Sequence, residues 1–381
     1  MKLRSTLTIL ALATASFGTV AHQKSMQIWS AGFGPSKEIK IKNPKFVWQV
    51  WPEGEGKITG ASFVINGKEV DAKYDNRKKE LFFESGESLP PGTYNVVAHV
   101  QIDDWAKFDK KWTVTIRADA VQHAEDAPAD TKQIIAVYNR IRTDHGFGPC
   151  RFDPSFNLAA IAHTNYLSMN KGGGHIEDPA FPGYTGMEAA DRARVFGHVG
   201  SSFEVVATGA QNAAEGITSL WDAPYHRISM MKPGIVFAGA SFKGGNLTMD
   251  GDGMELDGMF VSPPENGNGV SPSWENHESP NPTRNFDDAT ETVGYPVVAT
   301  VYGDKIGKIS LVSASLTNAL GQEVERYELS PANDNHLKTS VIIIPKKPLA
   351  PGKIYSVSLQ LRDSLGKLYM KAWKFATSAN D

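Results

Sequence analysis

The chain has 381 residues, of which 41% are hydrophobic and 21% charged, as is typical of a globular protein with more than one domain. Its 39 basic and 42 acidic residues give a net charge of -3, and no basic cluster indicates a nucleic-acid partner. The single cysteine, Cys150, excludes an internal disulfide, so we expect stability to come from packing alone.

Residues 1–21 have the pattern of a secretory signal peptide. Lys2 and Arg4 supply a positively charged start, residues 7–17 are mostly apolar, and small residues precede a cleavage position after Ala21. The apolar run is shorter than the ~20 residues that a membrane-spanning helix needs. We therefore expect cleavage, a secreted or periplasmic protein, and no membrane span in the mature chain.

The two ends of the chain have β-strand patterns. Runs that alternate apolar and polar residues, such as ASFVINGKEV and YNVVAHVQI, predict strands separated by Gly and Pro turns. Residues 89–116 and 349–377 share Leu-x-Pro-Gly, a strand with Tyr, a polar turn, and a strand that carries Trp112 or Trp373. We predict the same hairpin twice, and an Ig-like β-sandwich at each end.

The central region has mixed α and β signals. The pattern ADTKQIIAVYNRIRTDHG predicts a helix capped by Asp130, with Gln133 three residues later. Asp153 as N-cap and Pro154 at the first helical position predict a second helix. The stretches GMEAADRARVFG and AQNAAEGITSLWDA are further helical patterns, and FEVVATG, GIVFAGASFKGG and MELDGMFVS predict strands.

Polar segments separate these regions. One is acidic, and the other is rich in Pro, Asn, Ser and Gly and cannot bury a core of its own. Trp274 in the second segment indicates that part of it packs on a neighbouring domain. The sequence thus predicts a multidomain protein in this order: signal peptide 1–21, Ig-like β-sandwich 22–118, central α+β domain 128–262, linker 263–288 and Ig-like β-sandwich 289–381.

Two histidines and one carboxylate of the central region are candidates for a functional site. His175 follows three glycines, where the backbone can approach a ligand closely. Glu204 lies on an apolar strand, where a buried carboxylate needs partners. His226 comes just beyond a predicted helix end. Two imidazoles and a carboxylate can hold a divalent metal ion or move a proton.

Each candidate also has a purely structural interpretation. His175 can be a surface loop residue, and His226 can cap carbonyl groups or stack on Trp221. Glu204 can form a salt bridge with an arginine, for which the candidates are Arg192, Arg194 and Arg227. A further histidine, His163, is expected to pack beside Tyr166 on the second helix.

The central region resembles the bacterial branch of the CAP superfamily (cysteine-rich secretory proteins, antigen 5 and pathogenesis-related 1, also called SCP-like). Motifs in matching order carry the resemblance, and they span residues 132–243: YNRIR, HGFGPCRFDPSF, LAAIAHTNYLSMN with GGGHIED, PGYTGMEAADRARVFG, FEVVATG, and LWDAPYHRISMMKPG with GIVFAGASF. The resemblance implies an α-β-α sandwich with a cleft lined by two His and one or two Glu.

The resemblance assigns residues to that cleft. His175 and His226 match its two histidines, and Glu204 matches the glutamate of a Glu-Asn-Ile strand motif whose Asn is absent here. The family's second glutamate has no clear match, because Glu215 and Asp222 lack the required spacing to the tryptophan of their helix.

Two functions remain open at this point. The first is a non-catalytic binding module of the cell envelope or the extracellular space, whose cleft holds a divalent metal, zinc above all, at His175 and His226, or a lipid, peptide or glycan. The second is a metal-assisted, protease-like hydrolase in which Glu204 is the general base on a metal-bound water. A metal-free version would use one histidine to activate Ser201, Ser202 or water. We assign no catalytic residue and expect no general protease activity.

Overall fold

The computed structural model describes residues 3–5, 26–170 and 173–379. The predicted signal peptide, residues 1–21, lies outside these ranges except for Leu3–Ser5. The chain divides into two compact units, one of Met1–Glu125 with Thr185–Ser201 and one of Asp126–Tyr184 with Ser202–Asp381. In the described ranges, no helix has both the length and the apolar character that crossing a bilayer would require.

Four of the five described helices lie where the sequence patterns place them: α1 (Ala129–Asp144), α2 (Pro154–Asn170), α3 (Ala189–Val195) and α4 (Ala213–Asp222). The fifth, α5 (Pro224–Met230), was not predicted. Asp153 caps α2 as predicted, because its carboxylate accepts hydrogen bonds from the amides of Ser155 and Phe156 at 2.9 and 3.1 Å. For α1 the predicted cap is wrong. Pro128 is the N-cap, and the Asp130 carboxylate lies in the first turn.

The first unit consists mainly of two five-stranded sheets. Their strands are β1 (Leu3–Ser5), β2 (Ile28–Gly34), β3 (Lys37–Ile41), β4 (Lys45–Pro52), β5 (Ile58–Ile65), β6 (Lys68–Asp71), β7 (Lys73–Asp75), β8 (Glu80–Glu84), β9 (Gly92–Ile102) and β10 (Ala106–Val121). The strand orders are β1-β2-β4-β8-β7 and β3-β10-β9-β5-β6. One apolar core draws alternate residues from both sheets, including Trp48, Phe63 and Trp112.

The second unit contains the remaining strands, which are β11 (Cys150–Phe152), β12 (Phe203–Ala207), β13 (Val236–Lys243), β14 (Asn246–Gly253), β15 (Gly258–Ser262), β16 (Gly267–Val270), β17 (Ser273–Glu275), β18 (Thr292–Gly294), β19 (Val297–Tyr302), β20 (Ser310–Thr317), β21 (Arg326–Leu329), β22 (Ser340–Pro345), β23 (Ile354–Arg362) and β24 (Leu368–Thr377). They form sheets of order β11-β13-β14-β12, β15-β19-β22-β21, β16-β24-β23-β20 and β17-β18. The prediction of a mostly β, multi-sheet chain with helices in its middle is confirmed.

The sheet β11-β13-β14-β12 has helices on both faces. Val236 and Ala238 of β13 point into a core shared with Tyr138 of α1 and Ile217 of α4. The opposite face lies against α2, and a Cβ atom added to Gly239 would lie 1.9 Å from the Asn157 amide nitrogen. Only glycine therefore permits α2 to pack this closely on β13.

The sheet β15-β19-β22-β21 is buried on both faces. All residues of β19 and β22 are buried. Val341 and Ile343 pack toward β23 and β24, whereas Ile342 and Ile344 join the core of α4 and α5. Continuous apolar runs such as VIIIP are the sequence signature of such doubly covered strands. The predicted strand in MELDGMFVS forms as β15, and it joins this sheet rather than the central one.

Both predicted hairpins are present. β9 pairs with β10, and β23 pairs with β24, each antiparallel. The tryptophan of each hairpin is buried and donates its indole N–H to a proline carbonyl, from Trp112 to Pro35 at 2.9 Å and from Trp373 to Pro263 at 3.0 Å. The two hairpins thus share a sequence pattern and a hydrogen bond from the tryptophan to a proline carbonyl outside the hairpin.

Candidate functional site

The second unit has a pocket of about 810 Å³ at one end of its central sheet. The loop after α2, the helices α4 and α5 and residues 271–279 form its walls. His175 and His226 both line it, with ring centroids 6.4 Å apart and an interplanar angle of 33°. Two side chains that the sequence analysis selected thus lie side by side in one cleft.

Glu204 holds the first of these rings. It lies on β12, where the neighbouring residue Val205 points into the apolar core and Glu204 points to the opposite face. Its Oε1 atom lies 2.8 Å from His175 Nδ1, and the carboxylate is only 2% exposed. Because a carboxylate accepts hydrogen bonds, Nδ1 is the donor, and in the neutral ring Nε2 carries the lone pair.

Behind this pair lies a second, fully buried pair. His163 Nδ1 is 2.9 Å from Glu177 Oε1, and both side chains are completely buried. The other nitrogen of His163, Nε2, is 2.9 Å from the Gly174 carbonyl oxygen and 3.9 Å from Glu204 Oε1. Since a carbonyl oxygen only accepts hydrogen bonds, Nε2 of His163 carries a hydrogen. The hydrogen bond between His163 Nδ1 and Glu177 Oε1 contains one further proton.

His163 therefore does more than pack beside Tyr166, which was its predicted role. Its ring does stack on Tyr166, with centroids 6.2 Å apart and an interplanar angle of 9°. It also links Glu177 to the carboxylate that holds His175. The sequence offers one signal for this link: a histidine on the second helix, and an acidic residue, Glu177, two positions after His175.

Glu278 holds the second cleft histidine. Its Oε1 lies 2.6 Å from His226 Nδ1 and accepts the His226 amide at 2.9 Å, while Oε2 accepts the Tyr225 amide at 3.1 Å. The carboxylate thus both caps the N-terminus of α5 and orients the ring.

His226 lies in the first turn of α5, not beyond a helix end as expected. The imidazole next to Trp221 is instead that of His145, at a centroid distance of 4.8 Å.

No sequence motif marks Glu278 as a site residue. It comes 52 residues after His226, in the segment predicted to be a linker. That segment is tied to its surroundings, because Arg284 donates to Tyr225 Oη at 2.7 Å and to Asp334 Oδ1 at 3.1 Å. The available signal for Glu278 was its place in the same segment as Trp274, which indicated that part of this segment packs on a neighbouring domain.

Asp222 adds a carboxyl group to the cleft wall. Its Oδ1 accepts the Tyr295 hydroxyl at 2.7 Å. Burial raises the pKa of Asp222, against the lowering effects of nearby Arg227 and of the Tyr295 hydrogen bond. Arg227 itself is fully buried and donates mainly to backbone carbonyls, those of Trp221, Asp222 and Pro296.

Other candidates contribute nothing to this site. Burial raises the pKa of the Cys150 thiol to about 12, so the thiol is unreactive. Over the described ranges, no three or more His, Cys, Asp or Glu side chains are placed to hold a metal ion together.

Comparison with known families agrees with this architecture. Residues 135–248, from α1 to β14, match the model for CAP, the cysteine-rich secretory protein family. The chain contains a CAP domain. The match includes His175, Glu204 and His226, and it ends before Glu278. A search of the curated proteins found no match.

Solved structures give only distant likenesses. CopC from Methylosinus trichosporium OB3b is 21% identical, with a TM-score of 0.19, over 24% of this chain and 88% of that chain. The Bacteroides ovatus protein SGBP-B, solved with a mixed-linkage heptasaccharide, is 11% identical, with a TM-score of 0.17, over 99% of this chain and 70% of that chain. The insect immune protein hemolin is 8% identical, with a TM-score of 0.17, over 91% and 76% of the two chains. At these TM-scores no shared fold follows.

Proposed function

We propose that this protein is an exported binding module whose CAP domain holds a divalent cation, most favourably zinc, at His175 and His226. One observation carries the proposal. Each cleft imidazole has its Nδ1 atom on a buried carboxylate, Glu204 for His175 and Glu278 for His226. Histidines that ligate metals usually donate their other ring N–H to a carboxylate or carbonyl in this way, which fixes the ring and makes it a better ligand.

The rings lie near the spacing that a shared ion requires. Zinc–nitrogen bonds are about 2 Å long, so two bonds and two half-rings span about 5 Å at the tetrahedral angle and about 6 Å in a straight line. The observed centroid separation is 6.4 Å, so we propose that the rings move about 1 Å closer when the ion binds. A bound ion would leave positions free for water or a ligand group, and it would supply a Lewis-acidic anchor for that group.

The geometry favours binding over hydrolysis. In the hydrolase alternative Glu204 would take a proton from metal-bound water. Its Oε1 atom is instead bonded to His175 Nδ1, and the side chain is 2% exposed. A carboxylate in this position can orient the His175 ring but has little access to a water molecule. We therefore assign Glu204 a positioning role.

The β-rich regions complete the proposal. The paired sheets at each end have the Trp-containing hairpins expected of Ig-like sandwiches. We propose that they act as spacers or adhesion units that present the cleft outside the cytoplasm, in the periplasm or beyond the cell.

Calorimetry with zinc tests the proposal. We expect about one ion per chain for the wild type and none for the His175→Ala, His226→Ala double variant. His277→Ala, which removes an exposed histidine of the same cleft rim, is the matched control and should bind as the wild type does. Identical titrations for the wild type and the double variant would refute the metal site. Casein cleavage that Glu204→Ala abolishes would favour the hydrolase instead.

A further inference from the structure

The lining of the cleft is acidic. Its walls carry four carboxyl groups, and none of the residues that line it in the described part of the chain is Lys or Arg. The four are Glu215, Asp222, Glu275 and Glu278. A concave surface with charges of one sign concentrates their field and attracts ligands of the opposite sign.

Several basic side chains of this unit pair with other acids, and the buried Arg227, which lies near Asp222, donates mainly to backbone carbonyls instead. Lys232 binds Glu255, Arg284 binds Asp334, and Lys346 binds Asp288. The cleft carboxylates have other partners. Tyr295 donates its hydroxyl to Asp222, the Gln211 amide donates to Glu215, and histidines lie on Glu275 and Glu278. The negative charge of the cleft is thus not matched by a Lys or Arg ion pair among the described residues.

Trp274 supplies a second, independent observation. It lines the cleft and is only 8% exposed. Its indole N–H makes no hydrogen bond to another described residue, whereas Trp48, Trp112 and Trp373 all donate theirs. Its Nε1 atom is not among the fully buried unpaired polar atoms of the described residues, so the N–H is open to solvent and can donate to a ligand carbonyl.

We propose that the cleft binds a basic peptide segment, with a Lys or Arg side chain at Asp222 and Glu275 and a main-chain carbonyl on the Trp274 N–H. The inference rests on the proposed function in that it names the ligand class of the same cleft. A basic peptide offers a cation and a carbonyl acceptor together. The pocket volume of about 810 Å³ lies in the usual range of ligand pockets.

Fluorescence anisotropy with a labelled Gly-Ala-Lys-Lys-Ala-Gly peptide tests the charge requirement. The matched probe is the same peptide with both lysines acetylated. We expect the lysine peptide to bind at least about tenfold more tightly than the acetylated one, and to weaken as salt rises. Equal affinity for the two peptides would overturn the proposal, as would binding of a neutral oligosaccharide with no binding of either peptide.

Variants locate the contacts. Asp222→Asn and Glu275→Gln should each weaken the lysine peptide about fivefold without changing the acetylated one. Trp274→Phe keeps an aromatic ring and removes the N–H, so it should weaken both peptides alike. Glu255→Gln, whose carboxylate pairs with Lys232 outside the cleft, is the control and should leave both affinities unchanged. Wild-type affinity in Asp222→Asn and Glu275→Gln would contradict the assigned site.

The His175→Ala, His226→Ala double variant separates this inference from the metal proposal. If the wild type binds no zinc but the double variant still prefers the lysine peptide, the peptide inference stands and the metal proposal fails. If zinc binds to the wild type without any preference for lysine, the metal proposal stands and the peptide inference fails.

Discussion

The bond between Glu278 and His226 fixes the orientation of one cleft imidazole. Glu278→Gln keeps a side-chain oxygen that can cap α5 but removes the negative charge beside Nδ1. Loss of such a partner usually costs 10- to 100-fold in metal affinity, so we expect zinc binding to weaken by at least about tenfold. Calorimetry measures this, and circular dichroism checks the fold. Unchanged affinity, equal to that of the Glu275→Gln control, would show that the carboxylate only caps the helix.

His163 distinguishes a packing ring from a hydrogen-bonded one. His163→Phe preserves the ring beside Tyr166 but leaves Glu177 and Glu204 buried without the histidine between them. Removal of one partner from a buried pair typically costs about 3–5 kcal/mol, and we expect a loss of that order in urea denaturation. If His163→Phe is as stable as the wild type, the ring only packs.

His145 predicts how stability depends on pH. Burial lowers its pKa from 6.5 to about 4, a lowering that the hydrogen bond to the Ile141 carbonyl opposes and that Arg227 and Arg142 reinforce. The unfolded chain therefore binds more protons than the folded chain between these two pH values. The contribution of neutral His145 to the free energy of unfolding is complete above pH 6.5, and it falls as the pH decreases toward about 4.

Urea denaturation at pH 7 and pH 5 measures this effect. The wild type should lose stability between the two pH values, and His145→Gln should lose less, because glutamine does not titrate. The exposed residue His277 provides the control His277→Gln, which should behave as the wild type does. An equal pH dependence in His145→Gln and the wild type would contradict the assignment.

The contact between α2 and β13 is the element-scale feature that positions the cleft. Gly239→Ala would place a methyl group against the Asn157 backbone, which cannot move without shifting α2. Overpacking of this kind costs about 1–3 kcal/mol or more, so we expect a loss at the upper end of that range. Gly86→Ala meets no atom within 4 Å and is the matched control. Thermal unfolding that places both variants at the wild-type midpoint would disprove this account.

Local patterns predicted the elements better than their partners. The cap at Asp153 and the helical periodicity placed α2, and the repeated Trp hairpins placed β9–β10 and β23–β24. The Asp130 cap failed because its carboxylate instead accepts the Phe242 amide from β13. β15 was correct as a strand, but alternation within a strand carries no information on which sheet the strand will join.

The site shows the same division. Motif order led to His175, Glu204 and His226, and the structure places their side chains together, although their roles remain a proposal. Glu278 could not be found in this way, because a bond across 52 residues depends on tertiary folding and no local motif marks it.

At the scale of the whole molecule, the doubly covered sheet predicts cooperative unfolding of the second unit. Ile342 packs toward the helices, and Ile343 packs toward β23 and β24. Each residue changed to Ala should cost about 2–5 kcal/mol, and both should lower the same unfolding transition. Ile354→Ala, at a site 53% exposed, is the control. Calorimetric scans in which the two variants lower different transitions would show that the CAP domain and the C-terminal sheets melt separately.

The anchoring of Glu278 by a segment outside the family match has a practical consequence. A fragment that ends at residue 248, where the family match ends, or at residue 262, where the predicted central domain ends, would keep both cleft imidazoles. It would lose the carboxylate that bonds to one of them. It would also lose the Trp274 wall and the sheet that covers α4 and α5. Ligand screens on such a fragment would report the behaviour of an incomplete receptor, so the full chain is the proper target.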